Sequence, residues 1–495
     1  MPLIRYRWAL RDEFLNRSEE LARLETWWSS SAREPLALIG RRRVGKSWLF
    51  RRFADGKPAL ILVAEQLPER AQLTRFAEIL EPVLGFRPDV PDVPTLIRVL
   101  FRAARTAKLV AIIDEFPWLL GTSATGGRRA LTAIQAVMEE ERDDSKLKLI
   151  LCGSQVAQME SLFGEKNPMH GRLERLLVRP LSFAESWPFL DAHDPIAAFE
   201  RFAIAGGMPM YLTKLAHGPL KTAVCNAILD RDAPLWNEGR SMLDQELREP
   251  RVYFAILEQL TGGAKSLNEI AQPLRMETGA VAKYLSTLID LRLASKKEPF
   301  GAPSFHRAGR WQLDDSFLRF WFRFVFPHQS DLESGLRAED LYDNEVADDI
   351  ADHVSPVFEN WCLEWLRSNR SAYATNYGNW WGNATNEFRK TKERSSEEID
   401  AVGTKRNKVT IVAEAKWTNK QLTPQIVADL DTYKIPALRH SLQVVTHPRI
   451  ALFSKSGYST ALHELADTDP RIELIDIAAE LQKQQRQGPY LVAMC

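Results

Sequence analysis

Cysteine is scarce in this chain. The 495 residues include four, Cys152, Cys225, Cys362 and Cys495, and their wide separation excludes both a disulfide framework and a close-spaced zinc shell. A reducing compartment is the expectation. A charge of one sign is lacking too. The 65 Lys plus Arg against 65 Asp plus Glu exclude a uniformly basic coat and an acidic solvating tail, so any nucleic-acid site must be a local patch. No uncharged apolar run approaches the ~18 residues of a membrane span. Arg5, Arg7 and Arg11 are followed by no apolar core, so the chain reads as cytoplasmic, with no membrane partner. Internal repeats and low-complexity tracts are missing as well. What remains, 45% hydrophobic and 26% charged residues with 25 Gly and 27 Pro, is the balance of an ordinary folded protein. At roughly 150 residues per domain it holds about three domains.

Aliphatic runs at Leu36 to Ile39, Ala59 to Ala64, Leu109 to Ile113, Leu147 to Leu151 and Leu176 to Leu181 alternate with helical stretches. Such runs are buried strands of a parallel sheet covered on both faces, which predicts an α/β domain over residues 1–190. From Pro195 the strand signal gives way to helical spacing, broken at Gly206-Gly207-Met208-Pro209, and 191–246 reads as a helical lid. Three helix-like pieces, Val252 to Leu260, Leu267 to Leu274 and Gly279 to Leu291, precede a charged hairpin around Lys296 to Ser304. This is the pattern of a winged helix-turn-helix over 247–325. Residues 329 to 353 carry nine acids against the one base Arg337, a solvated helical connector assigned to 326–355. The last domain, 356–495, opens on a helix from Val357 to Leu366 after Pro356. It continues as α/β, with strands at Ile399 to Val402, Val409 to Ala415, Leu442 to Thr446 and Ile450 to Phe453.

Gly40-Arg41-Arg42-Arg43-Val44-Gly45-Lys46-Ser47 fits G-x-x-x-x-G-K-S/T and lies between a strand and a helix beginning at Trp48. Glycines let successive N–H groups turn toward phosphate oxygens, and the helix N-terminus adds its positive dipole end. Gly40, Arg43, Val44, Gly45, Lys46, Ser47 and Trp48 therefore form the candidate cradle, with Lys46 on the β- and γ-phosphates. Ser47 and Asp114, the latter ending a buried run on the neighbouring strand, are placed to share Mg²⁺. Glu115, the next residue, is the candidate general base for in-line attack of water. Ser154 or Gln155 is positioned to sense the γ-phosphate. Arg172 is either an arginine finger, in this subunit or a neighbour, or a surface ion pair. His170 reads as structural.

These motifs together, with Phe14-Leu15-Asn16-Arg17, Glu20-Leu21, Ile113-Asp114-Glu115-Phe116, Gly153-Ser154-Gln155, Gly171-Arg172 and Gly206 to Tyr211, resemble the archaeal-type ATPases of the STAND branch of P-loop NTPases over most of residues 10 to 320. The resemblance implies ATP as ligand and an ATP-driven switch in which lid and winged helix move with nucleotide state. Assembly into a homo-oligomer is open.

A second constellation lies near the C-terminus. Asp400 and Glu414-Ala415-Lys416 fall on two strands joined at Lys405-Arg406-Asn407. Glu414 and Lys416, two apart, share a face. A hairpin turning about Arg406 sets Asp400 opposite Val412, a diagonal neighbour of Glu414. Two carboxylates on Mg²⁺ or Mn²⁺ beside a lysine suit phosphodiester hydrolysis, and Glu359 can complete the shell. The set resembles the PD-(D/E)XK nuclease fold, with Phe453 to Tyr458 in agreement, although Ile399 stands where the proline of that name belongs.

Lys283, Arg292, Lys296, Lys297, His306 and Arg307 form a surface on the winged-helix segment able to position DNA phosphates, unless that segment serves only in packing. Trp311, Phe317, Phe320, Trp321, Phe322 and Phe324 read as core. The leading expectation is an ATPase switch that controls a metal-dependent DNA nuclease. The alternative is a nucleotide-gated scaffold that binds DNA or protein through an inactive nuclease-like domain.

Overall fold

The computed structural model describes residues 16–487 apart from 121–123, 165–166, 168, 191–193, 248–249, 303–308 and 392–393. Phe14, Leu15, His306 and Arg307 lie outside the described residues. Two compact units divide the chain: Met1–Pro188 with Met208–Met210, and Phe189–Gly207 with Tyr211–Leu491.

In the first unit, strands β1 (Leu36–Ile39), β2 (Ala59–Val63), β3 (Leu109–Asp114), β4 (Leu147–Gly153) and β5 (Glu174–Leu177) pair in the order β2-β3-β4-β1-β5. All pairings are parallel. Every residue of β1, β3 and β4 is buried, as expected of strands covered on both faces. The helix Val93–Ala103 shows how the cover is built. Asp92 accepts from the Thr95 amide to start it, and Val93, Leu96, Ile97, Leu100 and Phe101 form its buried stripe. Each large apolar side chain so buried contributes roughly 1.5–3 kcal/mol. Two expectations need correction. The last strand spans Glu174–Leu177, not Leu176 to Leu181, since Pro180 has no N–H for the ladder. Strand β4 also stands between β1 and β3, so Asp114 is two strands from the glycine loop rather than on the adjacent one.

The second unit begins with the helix Pro195–Ala205, ended by Gly206 at φ 67°. Helices Pro250–Gln259, Leu267–Leu274 and Thr278–Asp290 are followed by the antiparallel ribbon β6 (Ala294–Lys297) and β7 (Arg310–Leu313). The helix from Leu267 starts on a capping box between Ser266 and Glu269. Phe317, Phe320, Trp321, Phe322 and Phe324 are buried, whereas Trp311, expected among them, lies half-buried on the ribbon.

The acidic segment is helical at Gln329–Glu333 and Ala338–Leu341 and then enters the long helix Ala347–Asn369. The break expected at Pro356 does not occur. Proline forfeits one main-chain hydrogen bond, but the buried side chains Val354, Phe358, Trp361, Cys362 and Trp365 hold the helix together on either side of it. That helix packs on a sheet of β8 (Asn376–Asn383), β9 (Ser396–Lys405), β10 (Lys408–Lys416), β11 (Val444–Ser454) and β12 (Ile472–Asp476), in the order β12-β11-β10-β9-β8. The strands around β9 are antiparallel, and β10-β11-β12 run parallel. The two short strands expected near residues 442 and 450 are the single strand β11. No described helix is long and apolar enough to cross a membrane.

Candidate functional site

The loop after β1 is shaped by two glycines for different reasons. At Gly40 a Cβ would stand 2.7 Å from the Val178 carbonyl oxygen, and Gly45 sits at φ 97°, a conformation costly for other residues. Lys46 opens the helix Lys46–Ala54, and its Nζ donates to the carbonyls of Gly40 at 2.7 Å and Arg41 at 3.0 Å. The ammonium is thereby held across the mouth of the loop. Ser47 Oγ donates to Asp114 Oδ2 at 3.3 Å. A hydroxyl and a carboxylate meeting there are hard oxygen donors suited to Mg²⁺. Although β4 intervenes, Asp114 ends β3 far enough forward to reach Ser47. Trp48 is 53% exposed. Arg43, at φ 66°, places Nη1 3.1 Å from Met210 Sδ.

Glu115 follows Asp114 at φ 52°, a left-handed turn uncommon outside glycine, and its amide donates to Asp114 Oδ1 at 3.1 Å. This turn sends the Glu115 carboxylate toward the end of β4, where Oε2 accepts from the Ser154 amide at 3.1 Å and the Ser154 hydroxyl at 2.9 Å. Ser154 thus holds the candidate base. Arg172 forms an ion pair with Glu139 on the surface, the second of its two readings, and His170 is exposed in a turn. One contributor escaped the sequence reading of roles: buried Arg17, at φ 71°, donates from Nη2 to the Val44 carbonyl at 2.7 Å and pairs with Glu20 at 2.8 Å. It braces the loop from behind.

In the second unit Asp400, Glu414 and Lys416 converge. Lys416 Nζ lies 2.8 Å from Asp400 Oδ2 and 2.8 Å from Glu414 Oε2. Asp400 Oδ2 also accepts from the Ala415 amide at 2.9 Å. The register differs from the expected one, because Val412 pairs with Val402 after a bulge between Val409 and Ile411. Continuing that register brings Asp400 level with Glu414 rather than Val412. Lys434, from the segment after β10, reaches Glu414 Oε1 at 2.6 Å and was not foreseen.

Burial, then the charge of Asp400, raises the Glu414 carboxyl above its ordinary range, with Lys416 and Lys434 opposing. Burial pulls Lys416 down, but Asp400 and Glu414 outweigh it and hold the ammonium strongly charged. Glu359 is pushed up to about 8 by burial and by Asp400. Asp400 and Glu414 are oxygen donors fit for Mg²⁺ or Mn²⁺, with an ammonium lying between them. Among the described residues no three His, Cys, Asp or Glu side chains gather as a metal-holding group, while Glu359 stands near enough for the charge of Asp400 to act on it.

The ribbon segment leans on this sheet. Lys297, expected to face phosphates, is turned inward, with Nζ 3.2 Å from Asn360 Oδ1, and burial lowers its pKa. Lys296 pairs with Glu298 at 2.9 Å. The Phe300 amide donates to the Asn379 carbonyl of β8 at 2.8 Å, and a Cβ on Gly378 would lie 2.4 Å from the Phe300 ring. Arg310 pairs with Glu398 at 3.1 Å and stacks 5.1 Å from the Trp381 centroid. Lys283 and Arg292 remain exposed.

Comparison with known proteins agrees with the loop geometry. Residues 32–187 match the model of the AAA domain, and residues 321–426 match a family described as archaeal and bacterial proteins of unknown function. The chain is 27% identical over 413 residues to an uncharacterized protein of Methanocaldococcus jannaschii, covering 82% of this chain and 87% of that one. It is 46% identical over 44 residues to an uncharacterized ATP-binding protein of the same organism, covering 9% of this chain and 75% of that one. Among solved structures, a Walker-type ATPase of Pyrococcus abyssi is similar with TM-score 0.46 and 18% identity, over 63% of this chain and 97% of the other. The Aeropyrum pernix ORC2 protein, in ADPNP and ADP complexes, is similar with TM-score 0.43 and 15% identity, over 64% and 93%. The chain therefore carries an AAA-type P-loop domain. Joined to it is a C-terminal α/β domain, part of which is shared with archaeal and bacterial proteins of unknown function.

Proposed function

We propose that the chain is an ATP-hydrolysing switch that controls a metal-dependent DNA nuclease domain. The observation that carries the nuclease half is the placement of Lys416 at 2.8 Å from both Asp400 and Glu414. Carboxylates at that spacing are donors for Mg²⁺ or Mn²⁺, which when bound would polarise a phosphodiester and acidify water. Lys416 would offset charge on the phosphate as it grows. The ATPase half rests on Lys46, Ser47 and Asp114, with Glu115 as base for the attacking water. Arg172 serves as a finger only if its pair with Glu139 opens, and the partner that would open it is ATP-bound protein, in this subunit or a second copy.

One observation favours a second reading. Both Glu414 oxygens lie within ion-pair distance of an ammonium, Lys416 on one side and Lys434 on the other. A carboxylate so engaged suits an inert nuclease-like domain that binds DNA or protein under nucleotide control. The deciding experiment is a nicking assay on supercoiled DNA with wild type and Asp400→Ala, each with and without ATP and Mg²⁺. Metal-dependent nicking lost in the variant supports the first reading. Binding without nicking in both supports the second.

A further inference from the structure

The end of the C-terminal sheet remote from Asp400 is unusually basic. Residues 401–413 contain Lys405, Arg406 and Lys408 and no acid, and residues 432–463 contain no Asp or Glu at all. The fold brings these two stretches together. Val409 pairs with Val444, and the Val409 amide donates to the Gln443 carbonyl at 2.7 Å. An open cleft of about 720 Å³ results, lined by Lys408, Arg439, His440, Ser441, Gln443 and Thr446 among others.

Three details distinguish this surface from a solvated loop. Lys408 lies directly across the hairpin from Lys405, a like-charge pair that costs stability. Arg406 and Asn407 hold the turn tight at φ 52° and 61°, so the cations are presented on a fixed frame. Arg439 is held in place, donating to the carbonyls of Val445 at 3.2 Å and Thr446 at 3.1 Å. Among the described residues, Lys405, Arg406, Lys408 and Arg439 form no ion pair with a carboxylate. In a chain of zero net charge, cations gathered without carboxylates create a local positive potential that attracts a polyanion.

We infer that this cleft is a docking surface for the phosphodiester backbone of nucleic acid, with Arg406, Lys408 and Arg439 on phosphate oxygens. A backbone fits because the cations are spread along a hairpin end and a loop rather than focused on one point, and Arg439 keeps N–H donors beyond those that its own loop takes. The inference deepens the proposed function and rests on its nucleic-acid part alone. Lys408 and Lys416 lie at opposite ends of β10, about 26 Å apart at ~3.3 Å per residue, so the cleft is separate from the chemistry.

The test is fluorescence anisotropy of the full chain with a labelled duplex across a salt series, in the Asp400→Ala background so that the probe stays intact. Lys408→Glu with Arg439→Glu is expected to weaken binding at least tenfold and to flatten the slope of log K against log salt by about 2. Arg439 also braces its own loop, so Arg406→Glu with Lys408→Glu, both exposed, is measured beside it and should give the same loss with a melting temperature no lower than the parent's. Affinity and slope equal to the parent in both variants overturn the inference, as does a chain that binds no nucleic acid. If the duplex is held through this cleft while otherwise wild-type protein never nicks DNA, the nuclease reading fails and the docking surface stands.

Discussion

Glu115 and Ser154 are joined twice, because one carboxylate oxygen, Oε2, accepts both the amide and the hydroxyl of the serine, at 3.1 and 2.9 Å. A carboxylate held this way is oriented by the end of β4, and in the proposed role of base its freedom to meet water would depend on Ser154. We expect Ser154→Ala to raise basal ATP turnover severalfold in a phosphate-release assay. Glu115→Gln should keep ATP affinity and lower turnover at least ~100-fold, the usual scale for a general base. Unchanged turnover in Glu115→Gln removes that residue from the role.

Lys46 bonds the Gly40 and Arg41 carbonyls, so its loss would remove both the proposed phosphate contact and a brace of the loop. With ATP at ~100 times Kd the wild type should gain about 2.7 kcal/mol of stability, read as a rise in melting temperature. Lys46→Ala should show no rise. A full shift in that variant would mean that nucleotide binds elsewhere.

At the C-terminal site, Mg²⁺- or Mn²⁺-dependent nicking should disappear in Asp400→Ala and Lys416→Ala. Lys434→Met leaves one Glu414 oxygen without its 2.6 Å partner and should shift the metal concentration needed for half-maximal nicking. Nicking that persists equally in Asp400→Ala and Lys416→Ala would come from another active site.

Buried His353 donates from Nε2 to the Ala203 carbonyl at 3.1 Å. Burial, then the charge of Arg319, hold its pKa well below the ordinary 6.5. Below that value the unfolded chain binds a proton that the folded form refuses, so stability is complete above pH about 6.5 and falls as pH drops. Denaturant melts at pH 7.5 and 5.5 should show the loss, and His353→Phe should reduce it. Equal acid sensitivity in both proteins would assign the effect to other groups.

The glycine loop was legible because its chemistry is contiguous, from Gly40 to Ser47, and Asp114 because it ends a fully apolar run. Asp400, Glu414 and Lys416 were legible from strand spacing. Their register was not, since a bulge between Val409 and Ile411 shifts every pair beyond it and leaves no mark in composition. Lys434 and Arg17 act across 20 and 27 residues on partners chosen by packing, a relation no local pattern encodes. Strand β8, with the sequence NYGNWWGN, lacks the aliphatic alternation that marks a strand. It owes its place to β9 on one side and to Phe300 on the other.

That last contact governs where the polypeptide can be divided. The Phe300 amide and Arg310 close on Asn379 and Trp381 of β8, and Lys297 on Asn360 of the long helix. A fragment beginning after residue 325 would lose them together and leave β8 as a bare edge, open to pairing with a second molecule and hence to aggregation. Soluble expression of the C-terminal portion should accordingly require the whole second unit, from about residue 189 onward.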